Sequence, residues 1–109
     1  MASAKQPQDE IDYKVKFSQE YFNPKLCKYD NERIDIILLD KKGNPLLYIE
    51  AKVTLNPQER AKALAQVVLT NKKQKQILNH LALIYKENGS DVLEFIELLD
   101  DSVMFNNDF

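Results

Sequence analysis

The chain has 109 residues, 44% of them hydrophobic and 29% charged, with a formal net charge of −2 and one cysteine. This is the size and composition of one globular domain with one core, and no second core fits. Cys27 alone excludes an internal disulfide or a thiolate metal cluster, and with neither a run of eighteen apolar residues nor a secretory leader the chain is expected to be cytoplasmic with no membrane partner.

Met1 to Gln8 reads as a disordered leader, with the folded domain expected over residues 9–99. Asp9 to Tyr21 is predicted to be a first helix whose apolar stripe is Ile11, Val15 and Phe17 or Ser18. Pro24 ends it, and Asn23 to Asn31 is expected as a polar connection. Ile34 to Leu39 and Leu46 to Val53 are rich in β-branched and aliphatic residues around the turn-like Asp40-Lys-Lys-Gly-Asn-Pro45, which predicts a β-hairpin. A four-residue loop, Lys41 to Asn44, pairs Asp40 with Pro45 and thereby sets Asp35 opposite Glu50. Strand periodicity then puts Lys52 on the face of Glu50.

Asn56-Pro57-Gln58-Glu59 combines an N-cap Asn, a Pro at the first helical position and a Glu at the third, so a second helix is predicted from about Pro57. Ala61, Leu64, Ala65 and Val68 follow helical spacing and form a narrow stripe suited to lying close on a sheet. Lys72, Lys73 and Lys75 cluster where this helix continues or ends, and such a cluster offers non-specific contacts to a phosphate backbone or forms a solvated face. His80, the only histidine, has no partner at ligand spacing and cannot anchor a zinc site. Leu81 to Tyr85 and Val92 to Leu98 around Asn88-Gly89 predict a second hairpin, in which Phe95 alternates with Glu94 and Glu97 as on an edge strand with one wetted side. Asp100 to Phe109 is an acidic, loop-like tail expected before further domains. Nothing resembles a Gly-rich phosphate loop, a dinucleotide fingerprint or a nucleophile elbow, which removes most cofactor enzymes.

Two carboxylates and an ammonium thus converge on a sheet whose other positions are nearly all apolar. Partly buried like charges repel, and a divalent cation held between them removes that cost. Hard oxygen ligands point to Mg²⁺ or Mn²⁺, since a magnesium site uses one or two carboxylates and leaves its remaining positions to water and substrate phosphate. Lys52 would then orient water or offset charge on a phosphoryl transition state.

Asp35, fourteen residues, Glu50, one residue, Lys52 resembles the D-(x)n-E-x-K signature of the PD-(D/E)xK, or restriction-endonuclease-like, nuclease superfamily. Arg33-Ile-Asp35 and Ile49-Glu-Ala-Lys52 look most like nuclease domains of restriction-modification enzymes, although Ile34 stands where the family name has proline. The resemblance implies an α/β fold with a restriction-endonuclease-like core, a mixed four- to five-stranded sheet flanked by helices. It implies that Asp35, Glu50 and the carbonyl of Ala51 hold the metal and that Lys52 assists the attacking water. A Glu on the first helix adds a ligand or braces the site in some relatives; Glu10 or Glu20 matches, Glu10 being preferred. A Gln on the second helix approaches the metal site or a substrate phosphate in others, and Gln66 is the position that matches. The expected activity is Mg²⁺-dependent hydrolysis of DNA phosphodiesters, with methyltransferase or helicase domains or subunits as partners and a homodimer as one way to cut both strands.

Two alternatives stand beside it. The same fold can serve, catalytically silent, as a nucleic-acid-binding or protein-interaction module, and strand ends can carry Asp or Lys merely to reach solvent. The net charge of −2 runs against a domain that holds DNA unaided. That objection weakens if other domains hold the nucleic acid.

Overall fold

The computed structural model describes residues 8–31, 33–54 and 56–98, side chains excepted at 8–10 and 54. The expected leader and tail otherwise fall outside the described residues, though Gln8 already belongs to the first helix. The elements are α1 (Gln8–Tyr21), β1 (Cys27–Asn31), β2 (Ile34–Leu39), β3 (Pro45–Thr54), α2 (Pro57–Lys72), β4 (His80–Glu87) and β5 (Ser90–Glu97). They form an α/β fold with one five-stranded mixed sheet in the order β1-β2-β3-β4-β5. All neighbours are antiparallel except β3 and β4, which α2 joins as a crossover. Among the described residues no helix is long and apolar enough to cross a membrane.

Each face of the sheet carries one helix, which is why the central strands are apolar on both sides. On one face Tyr13 and Phe17 of α1 pack on Ile36, Ile49, Ala51, Ala82 and Ile84. On the other, Ala63 and Val67 of α2 pack on Ile37, Tyr48, Leu81, Leu83 and Tyr85. Both helix stripes differ from those expected. In α1 the buried residues are Tyr13, Lys14, Phe17 and Ser18, with Ile11 and Val15 half-buried, because the aromatic rings of Tyr13 and Phe17 meet edge to face and claim the core side. In α2 they are Ala63, Val67 and Asn71, while Ala61 and Ala65 are exposed.

The expected connection from Asn23 to Asn31 contains a 3-10 turn, Pro24–Leu26, capped by Asn23, and then β1. β1 is a polar edge strand, and no periodicity in Cys-Lys-Tyr-Asp-Asn announces it. The first hairpin turn is closed by the Asp40 N–H donating to the Asn44 carbonyl at 2.8 Å, while Asp40 Oδ1 accepts from the N–H groups of Lys42 and Asn44. Pro45 pairs with Leu39 rather than Asp40, and Leu46 bulges out as the extra residue. At the second hairpin Asn88 and Gly89 have φ of 53° and 81°, the two positive values a tight two-residue hairpin turn requires. β5 is the edge strand expected, but its wetted side carries Phe95; Glu94 faces α2, where Arg60 and the Tyr85 hydroxyl both donate to it.

Candidate active site

Past the Leu46 bulge the pairs Leu38 with Leu47, Ile37 with Tyr48 and Ile36 with Ile49 follow one register, and its next step sets Asp35 across from Glu50. The ladder itself ends at Ile36 and Ile49. Beyond it the Ala51 N–H, which would have sought a carbonyl on β2, donates to Asp35 Oδ2 at 2.8 Å. The Asp35 side chain thus replaces a rung of the sheet where the two strands part. Because a residue's N–H and C=O leave a strand on the same side, the Ala51 carbonyl faces β2 as well.

Glu50 is 4% exposed and Asp35 8%. Lys52, half-buried, brings its Nζ to 4.0 Å from Glu50 Oε2. Pairing between β3 and β4 shifts between Ala51 and Thr54, so Lys52 lies in a local irregularity of the strand, a feature that re-aims side chains beside functional sites.

Two further charged neighbours, Lys14 and Asp30, come from α1 and β1. Lys14 of α1 is fully buried; its Nζ donates to Asp30 Oδ1 and lies 3.9 Å from Asp35 Oδ1. Asp30, exposed at the end of β1, has a left-handed backbone with φ of 53°. The one sequence signal for Lys14 was its position between Tyr13 and Phe17, on a helical face that has to be buried. Burial pushes the Asp35 carboxyl above the usual aspartate range; the Ala51 N–H, Lys14 and Lys52 act against this, and the negative charge of Asp30 adds to it.

Among the described residues no three His, Cys, Asp or Glu side chains gather as one metal-ligand group; the hard oxygen donors at the parting of β2 and β3 are the Asp35 and Glu50 carboxylates and the Ala51 carbonyl. Glu10 stands in the first turn of α1, with its side chain outside the described residues. Glu20 is exposed near the other end of α1. Gln66 is exposed and off the face of α2 that meets the sheet, so the structure does not bring it to the carboxylates. Lys72 ends α2, Lys73 caps it and Lys75 follows in the turn, all three exposed. Compared with family models, curated proteins and solved structures, the chain finds no match.

Proposed function

We propose that this chain is a Mg²⁺- or Mn²⁺-dependent endodeoxyribonuclease module of restriction-endonuclease-like type, the cleavage part of a larger restriction-modification enzyme. The observation that carries the reading is the strand register, whose next step beyond Ile36 and Ile49 sets two buried carboxylates, Asp35 and Glu50, on parting strands, with the Lys52 ammonium 4.0 Å from Glu50. The order helix, hairpin, helix, strand that the resemblance implies is also present.

In this reading Asp35, Glu50 and the Ala51 carbonyl hold the ion, which when bound supplies Lewis-acid polarisation of the scissile phosphate. The Ala51 N–H keeps Asp35 Oδ2 fixed, so that the carboxylate is set before any ligand arrives. Glu50 orients the Lys52 ammonium, which donates to the attacking water and to the phosphate as charge builds on its oxygens. Cytoplasmic DNA is the substrate, and methyltransferase or helicase domains or subunits, with or without pairing of two copies, supply what the module lacks.

One observation favours a catalytically silent binding module: Lys14 already places a positive charge near Asp35. Metal titration and plasmid nicking separate the two. Under the nuclease reading the chain takes up Mn²⁺ at a site lost in Asp35→Ala, nicks plasmid with Mg²⁺, and in Lys52→Ala keeps metal and fold but loses nicking. A Lys52→Ala chain that nicks at the wild-type rate ends the catalytic assignment.

A further inference from the structure

A net charge of −2 gives the molecule no general attraction for a polyanion, so a nucleic acid needs a local surface of the opposite sign. One lies on the α2 face of the sheet, further along β2 and β3 toward the first hairpin turn. α2 packs chiefly on β3 and β4, and where its face of the sheet continues over β2 and β1 there is a cleft of about 250 Å³. Ile37 and Tyr48 line its floor, Lys28 and Asn31 one wall, and Lys75 and Gln76 the other. No carboxylate lines it among the described residues. Two ammonium groups and several amides around an apolar floor form a site for a single anion with oxygen acceptors.

The wall carrying Lys75 is fixed from beneath. The buried Asn71 side chain donates to the Leu78 carbonyl and accepts from the Leu78 N–H, both at 2.9 Å. The Tyr48 hydroxyl donates to the Gln76 carbonyl at 2.6 Å, and Gln74 Nε2 donates to the Thr70 carbonyl. The turn after α2 is therefore held in one shape before any ligand binds, which spares a ligand the cost of ordering it. Lys28 pairs with Ile37 across β1 and β2, two residues along β2 from Asp35, and Tyr48 of the cleft floor lies two residues along β3 from Glu50. The cleft thus starts about 7 Å from Asp35 and ends near 14 Å. At roughly 3.4 Å of rise per nucleotide that is two to four nucleotide steps.

We propose that this cleft seats a backbone phosphate of the DNA strand, two to four nucleotides from the bond addressed by Asp35, Glu50 and Lys52, with Lys28 and Lys75 as its cationic clamp. The assignment rests on the nuclease reading, and its test keeps the two apart. Binding of a labelled duplex is followed by fluorescence anisotropy in EDTA, as a function of salt, for wild type, Lys28→Gln/Lys75→Gln and a control of equal charge, Lys16→Gln/Lys62→Gln. The cleft variant should lose about tenfold in affinity, with a salt slope shallower by about one unit, and the control less than about twofold. Equal losses in the two double variants, or no DNA binding by wild type, overturn the proposal. Binding that depends on Lys28 and Lys75 in a chain that never nicks DNA supports the cleft and overturns the nuclease reading instead.

Discussion

The buried ammonium of Lys14 lies 3.9 Å from Asp35 Oδ1 while also donating to Asp30. A cation at that distance repels any metal that Asp35 holds, by up to about 4 kcal/mol per unit charge in a protein-like dielectric before Asp30 offsets it. Lys14→Gln should therefore bind Mn²⁺ about tenfold more tightly at pH 8, and Asp30→Asn, which releases Lys14 toward Asp35, more weakly. Calorimetric titration of both variants reads the two directions, and a weaker site in Lys14→Gln contradicts this account.

Asp35 is held against its own preference. Its carboxyl pKa is raised, so the folded chain keeps the proton to a higher pH than the unfolded one and ionisation costs stability. The cost is absent below the ordinary value of 3.8 and complete above the raised value. Asp35→Asn, whose amide oxygen can still accept from Ala51, should melt a few degrees higher than wild type at pH 8, with the gap closing as pH falls toward 4, and should take up no Mn²⁺. A variant that melts lower at pH 8 sinks this reading.

Glu94 titrates in the other direction. Arg60 and Tyr85 donate to its carboxylate and hold it below the ordinary 4.5 of glutamate, so the pair contributes stability above that value and loses it as pH falls through the lowered one. Thermal melts should find Glu94→Gln less stable than wild type at pH 7, with the gap narrowing as pH falls below 4.5. Because the Arg60 partner is partly exposed and screened by solvent, the difference at pH 7 should be small.

Asn71 is the strongest single test of the fold around the cleft. Asn71→Ala strips hydrogen bonds from both backbone groups of Leu78, at about 1–3 kcal/mol for each group left without a partner. Urea unfolding should show a loss of about 2–6 kcal/mol, and a loss under about 1 kcal/mol would mean that water satisfies Leu78.

The hairpin was legible in the sequence because strand alternation is rigid: fixing the turn at Lys41 to Asn44 placed Asp35, Glu50 and Lys52, and the Leu46 bulge spoiled only the pairs next to the turn. The N-cap of α2 was equally plain, since Asn56 accepts from the Glu59 N–H at 2.8 Å as its spacing suggests. The helix faces were not. Alanines at 61, 63 and 65 satisfy more than one stripe, and what decides for Ala63 and Val67 is the docking of Asn71 on Leu78, a tertiary bond with no sequence pattern. In α1 a buried lysine among aromatic residues concealed the core side. β1 escaped notice because an edge strand with few apolar residues looks like a loop. Lys28, the second cation of the cleft, was hidden with it.

The bulged Leu46 gives the first hairpin a mechanical fuse. Peptide tags or reporter segments spliced into Lys41–Asn44 should be absorbed there, leaving Glu50 and Lys52 aimed as before. Deleting one residue between Leu47 and Ile49 has no such buffer: it swaps odd positions for even ones along the rest of β3, turning both charged side chains into the packing beneath α1 and sending Ala51 outward. Length variation is thus cheap on one side of Leu46 and ruinous on the other.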